Sequence, residues 1–218
     1  SLQSAEIIWY VLRVGLLLAA CAAMPVRPTI RCLVFAVAAI TNPVLIDLNL
    51  ANLSVFVTAI LAFVWRGLDR PLGSVALAIA MSVRPTLGLV LVWYLLRRRW
   101  RPVVWAIATG LFIVLVTLPI AGIDGYRDYL TVLRNLSEVT GQANNLDLGS
   151  TVLRNGGGPL GASLALYGGY AVGLGAMLVS LRYDRETSFL VTIGATLLLA
   201  PLLWDHYLSM LLLPAAFL

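Results

Sequence analysis

The chain has 218 residues, 61% of them hydrophobic and 11% charged, with a mean hydropathy of +0.94. This excludes an ordinary soluble domain; continuous, non-alternating apolar runs of 18 or more residues mark a membrane protein built of helices and not of barrel strands. All fifteen basic residues are Arg, placed beside apolar runs, so the net charge of +5 reads as an orientation signal and not as a nucleic-acid footprint.

In chain order the apolar segments fall at about 5–24, 32–46, 50–65, 72–96, 103–121, 160–181 and 187–218. The first resembles a signal peptide, but Glu6 and Arg13 interrupt it and its length suits a membrane helix. Cys21 and Cys32 lie in or beside apolar segments and read as small hydrophobes, not as a disulfide or metal site. The 32–65 region carries Asn42-Pro43, Asp47, Asn49 and Asn52 at its turn, and segment 72–96 carries Arg84-Pro85 at its centre. A charge at that depth is costly and proline breaks the helix there, so the pair predicts a helix that stops inside the membrane and presents a cation.

Arginine placement decides whether 72–96 crosses once or folds back. A single crossing leaves the loop arginines evenly split. A hairpin puts Arg27, Arg31, Arg66, Arg70, Arg97, Arg98, Arg99, Arg101, Arg182 and Arg185 on one side, against Arg127, Arg134 and Arg154 on the other. The positive-inside rule favours the hairpin, with arms of about 18 Å each. Segment 187–218 repeats the pattern, with Pro201 and Trp204-Asp205-His206-Tyr207 at its break. The long loop at 122–159 has Tyr126, Tyr129, Leu130, Leu133 and Leu136 at helical spacing, which predicts an amphipathic helix in the interface and a possible cover for a site. Asn144, Asn145, Asn155 and Gly156-Gly157-Gly158-Pro159 follow as a polar tail. In this topology the turns at 42–52, Arg84, the 122–159 loop and 204–207 converge on the extracytoplasmic face. The whole chain reads as one transmembrane domain. The absence of an initiator Met and the end inside an apolar run suggest a piece of a longer protein.

Each candidate residue has two readings. Arg84 either pairs with Asp47 structurally or binds an anionic head group, for which a guanidinium fork and a phosphate are complementary. His206, the only histidine, is either structural or catalytic, with Asp205 placed to fix its tautomer. Asp47 is a general base or a helix cap. Asn49 and Asn52, three apart, either share a helix face toward sugar hydroxyls or glue two helices together. The glycines at 168–175 read as close helix packing. There is no P-loop, zinc spacing, nucleophile elbow or haem signature.

The order of Leu48-Asn49-Leu50-Ala51-Asn52-Leu53, Ser82-Val83-Arg84-Pro85, Arg97-Arg98-Arg99-Trp100-Arg101, Asn135-Leu136-Ser137 and Ala200-Pro201-Leu202-Leu203-Trp204-Asp205-His206-Tyr207 resembles glycosyltransferase family 87 over most of the chain. Members are polytopic GT-C enzymes. The resemblance implies an all-α, polytopic transmembrane bundle of GT-C type with broken or half-length helices. It also implies transfer of mannose, or of arabinofuranose, from a polyprenyl-phosphate sugar to a glycolipid or cell-envelope polysaccharide acceptor. The expected setting is the extracytoplasmic face of a bacterial inner membrane. No metal or other cofactor is expected. On this reading Arg84 binds the donor phosphate, His206, Asp205 and Asp47 are the catalytic candidates, and Asn49, Asn52 and Asn144 contact the sugar. The family's base normally lies in the first extracytoplasmic loop, expected ahead of residue 1. Two departures fall at the sugar contacts: Asp47-Leu48-Asn49 stands where the family has glycine-asparagine, and Leu203 where it has serine. The rival class is a secondary transporter or lipid flippase with a midplane site, and a non-catalytic membrane scaffold is the third; no clear internal repeat supports the transporter.

Overall fold

The computed structural model describes residues 2–50, 52–136 and 145–217, and every regular element among them is helical. The elements are α1 (Leu2–Ala23), α2 (Pro28–Ile40), α3 (Asn42–Asn49), α4 (Ser54–Arg66), α5 (Pro71–Val83), α6 (Gly88–Leu96), α7 (Trp100–Leu136), α8 (Leu148–Arg154), α9 (Pro159–Ser180), α10 (Arg185–Leu198) and α11 (Leu212–Phe217). Three helices, α1, most of α7 and α9, are long and apolar enough to cross a membrane, and the bent pair α2–α3 makes a fourth if counted as one span. Proline opens α2, α5 and α9, where its missing N–H costs nothing. Asp184 opens α10; the hydroxyl and backbone N–H of Thr187 hold its carboxylate below the usual range.

Segment 72–96 folds back. Pro85 forces Arg84 out of the helical region to φ −134°, ψ 96°, and a short 3₁₀ turn (Pro85–Leu87) leads into α6. The Tyr94 hydroxyl then donates to the Leu68 carbonyl at 2.6 Å, and Arg99 lies 3.8 Å from Asp69. A straight rod of this length would hold those groups more than about 30 Å apart. The last segment does the same. α10 rises, the chain breaks around Pro201, and a 3₁₀ stretch (Asp205–Leu211) and α11 return. Trp65 donates to Glu186 at 3.3 Å and meets the Phe217 ring at 6.1 Å between centroids, so both ends of the segment share one level. A third break, at Thr41 (φ −82°, ψ 135°), turns α3 by 65° from α2 before the chain descends through α4.

The core draws on α4, α5, α6, α10 and the returning 205–217 segment. Trp93 donates to Ser188 Oγ at 2.8 Å and packs edge-on to Tyr94 and Phe189; all three rings are fully buried. α1 packs along α4, with residues 4–12 exposed beyond it. The exposed residues of α7, including Val104, Ile107, Leu111 and Leu115, form a lipid-facing stripe.

One expectation holds and one changes. The interface helix of the 122–159 loop is the distal part of α7, set off by a kink. Gly122 has φ 67° and ψ 170°, which a residue with a Cβ rarely adopts, and Pro119 has already removed a hydrogen-bond donor. Past the kink the Tyr126 hydroxyl meets Thr117 Oγ1 at 2.5 Å. The side chains of Leu133 and Leu136 lie outside the described ones. Asn49 and Asn52 do not share a helix: Asn49 closes α3, while Asn52 sits in the link before α4 and donates its backbone N–H to the Asp47 carbonyl at 3.2 Å.

The short turn between α4 and α5 depends on contact without side chains. A Cβ on Gly73 would stand 2.2 Å from the Gly67 carbonyl oxygen. Gly73→Ala is therefore expected to push the hairpin off α4 and lower unfolding free energy by about 1–3 kcal/mol, as for other overpacked sites; thermal unfolding in detergent measures it.

Candidate active site

The three breaks deliver their polar residues to one end of the bundle, opposite the arginine-rich end. Asp47, on α3, is fully buried. Its two carboxylate oxygens accept the backbone N–H groups of Ser54 and Val55, each at 3.0 Å. These are the first donors of α4, which lack partners inside their own helix. In this geometry Asp47 is the cap of a neighbouring helix. Arg13 donates to the Asp47 carbonyl at 2.7 Å and to the Trp9 carbonyl at 3.3 Å, which accounts for the charge inside α1.

Arg84 is 8% exposed. Nη2 donates to Ser54 Oγ at 2.6 Å, Nη1 to Met210 Sδ at 3.8 Å, and the guanidinium carbon lies 3.3 Å from the centroid of the Tyr207 ring. The ion pair with Asp47, one of the two readings of this residue, does not form; that carboxylate faces the backbone donors of α4 instead. Ser54 stands between them, giving its N–H to Asp47 and taking the guanidinium on its hydroxyl. Among the described residues no carboxylate lies within ion-pair distance of Arg84. A thioether is a weak acceptor and a guanidinium has five donors, so capacity to bind an anion remains.

The His206 ring meets that of Tyr207 edge-on at 4.7 Å, and Trp204 lies near-parallel to the imidazole at 6.4 Å. Tyr207 thus contacts both the guanidinium and the imidazole. Asp205 makes no hydrogen bond to the imidazole among the described residues, so the aromatic neighbours orient the ring. Asp47, Arg84 and Asp205 all lie within electrostatic reach of it. Beneath, Thr58 Oγ1 meets Ser209 Oγ at 3.3 Å and donates to the Ser54 carbonyl at 2.8 Å. Asn49 is exposed, and Asn52 lines a cavity of about 290 Å³ with Arg13 and Trp9. Asn144 lies outside the described residues.

Asn145, the neighbour of the asparagine singled out from sequence, is fully buried. Its Oδ1 accepts from Leu203 N at 2.9 Å and Asp147 N at 3.2 Å, and its Nδ2 donates to the Pro201 carbonyl at 3.3 Å. Leu146 N adds a bond to the Leu203 carbonyl at 2.7 Å. One amide therefore satisfies the backbone of the 201–203 break that carries Trp204 to Tyr207. Ser54 and Thr58 left a faint sequence signal, two hydroxyls four apart on one helix face; nothing local marked Met210 or Ser209.

On the other flank of the Arg84-Pro85 break a nearly wholly apolar cavity of about 520 Å³ opens between α5, α7 and the segment past Gly122. Met81, Ser82 and Pro85 form one wall, small residues such as Gly110 and Gly125 leave the space, and Tyr126 and Tyr129 cover it.

Apolar helices long enough to cross a membrane, with a nearly buried arginine at a helix break, define a multi-pass membrane protein. The model of Glycosyltransferase family 87 matches residues 1–204, so the chain belongs to that family and is a membrane glycosyltransferase, acting between a sugar donor and an acceptor. Neither a curated protein nor a solved structure matches it.

Asn145→Ala leaves the Leu203 N–H and the Pro201 carbonyl without partners. It is expected to cost about 1–3 kcal/mol per orphaned group, read as a fall in melting temperature and faster proteolysis near residue 203.

Proposed function

We propose that the protein transfers a sugar, mannose in the first instance and arabinofuranose as the alternative, from a polyprenyl-phosphate donor to a glycolipid or cell-envelope polysaccharide acceptor on the extracytoplasmic face of a bacterial inner membrane. The observation that carries this reading is Arg84: a nearly buried guanidinium, without a carboxylate partner among the described residues, at a helix break flanked by an apolar cavity. The phosphate of the donor binds the guanidinium, and the first isoprene units occupy the cavity beside Pro85. As the acceptor oxygen bonds to the anomeric carbon, the carbon–oxygen bond to phosphate breaks and the leaving phosphate gathers charge. Arg84 stabilises that charge where it develops, in a site of low dielectric. His206 hydrogen-bonds the phosphate or the acceptor hydroxyl, and Asn49, Asn52 and Asn144 contact sugar hydroxyls. The acceptor proton passes to a carboxylate base. Within these residues Asp205, partly exposed on the same turn as His206, suits that task better than Asp47, which acts as a positioning residue through the backbone of α4.

Transfer from polyprenyl-phosphate mannose to membrane acceptors tests the assignment. Arg84→Ala is expected to lower the rate by about 10²–10³, in line with loss of a transition-state donor. Arg84→Lys keeps the charge but loses the fork and the stacking on Tyr207, and recovers part of it. His206→Ala also slows transfer. Wild-type rates in both alanine variants, with melting temperatures showing that they fold, would remove this end of the bundle from the chemistry. Orientation is tested separately: a membrane-impermeant thiol reagent added to intact cells should modify Asn49→Cys and spare Arg98→Cys.

A further inference from the structure

The arginine-rich end holds a second site that the transfer reaction does not use. The N-termini of α5 and α7 open side by side onto a cavity of about 290 Å³ lined by Arg70, Pro71, Ser74, Arg101 and Trp105. It adjoins a second cavity of about 510 Å³ that shares Asp69, Arg101 and Pro102 and adds Arg98 and Trp100. Helix N-termini attract anions. Neither helix has an acidic residue in its first turn, and α5 has no side-chain cap.

Side chains add to it. The guanidinium groups of Arg70, Arg98 and Arg101 have no hydrogen-bond or ion-pair partner among the described residues. The one carboxylate on the wall, Asp69, is already held between Arg99 and Arg185. A second and independent observation points inward: Ser74 is fully buried, lines the smaller cavity, and its hydroxyl has no hydrogen-bond partner among the described residues. A buried hydroxyl without a partner costs free energy that a ligand oxygen would recover. Trp100 and Trp105 are exposed at the same level, where indoles mark the headgroup region.

We propose that this double cavity binds the phosphate headgroup of an anionic phospholipid, with Arg70 and Arg101 on the phosphate and the Ser74 hydroxyl donating to it. Basic pockets between membrane helices bind such headgroups. The surrounding leaflet presents this ligand at high local concentration, and the exposed apolar face of Trp105 continues the cavity toward the acyl chains.

The test uses the full chain in detergent, with thermal unfolding and native mass spectrometry as readouts. Phosphatidylglycerol should raise the melting temperature and remain bound, while phosphatidylcholine and millimolar inorganic phosphate should do neither. Arg70→Gln and Arg101→Gln should each weaken phosphatidylglycerol binding about fivefold. Ser74→Ala should weaken it too, while leaving the melting temperature of the delipidated protein unchanged or higher, because only an unpartnered hydroxyl is lost. Arg182→Gln, which removes an exposed charge at the same end away from the cavity, should have no effect. An equal loss in Arg182→Gln would mean diffuse surface attraction and overturn the site. Stabilisation by inorganic phosphate alone would make it a soluble-anion site, and the lipid assignment would fall.

Discussion

Peptide groups at membrane depth must find hydrogen-bond partners within the protein, because lipid offers none. Every helix break in this chain raises that requirement, and the architecture is largely its solution. Asp47 takes the first two donors of α4 from outside that helix. Asn145 takes the donor and acceptor exposed by the break around Pro201. Arg13 takes the Asp47 carbonyl near the end of α3. The breaks come together because each supplies, or borrows, the polar groups that another needs.

Arg84 is the cation around which they close. Its hydrogen bonds to Ser54 Oγ and Met210 Sδ and the face of Tyr207 fix its position without neutralising it. A carboxylate in the same place would compete with the anion that the proposed function brings there. Asp47 is close enough to be that carboxylate, yet its oxygens are committed to backbone. Asp47 acts on the guanidinium from beyond ion-pair distance.

Much of the fold was legible in the sequence because its irregularities have local causes. Proline after Arg84, proline at 201 and the Asn42-Pro43 step mark the breaks directly, and the bias of arginines separated a fold-back from a crossing. What stayed illegible depends on long-range contact. Ser209 meets Thr58 across 151 positions and Met210 meets Arg84 across 126, and no periodicity encodes such pairings. Nothing local singles out Asn145, because adjacent polar residues in a loop look alike until the backbone facing them is known.

The order in which Arg84 acquires its neighbours bears on biogenesis. Ser54 precedes it, but Tyr207 and Met210 are made last, and at roughly 5–20 residues per second the 126 residues to Met210 take about 6–25 s to synthesise. During that interval neither arm of the hairpin is long enough to cross the bilayer alone, and its guanidinium lacks the aromatic face that will cover it. The nascent hairpin must therefore wait, held at the insertion machinery or in a thinned, hydrated patch of membrane, until the C-terminal segment arrives to complete it.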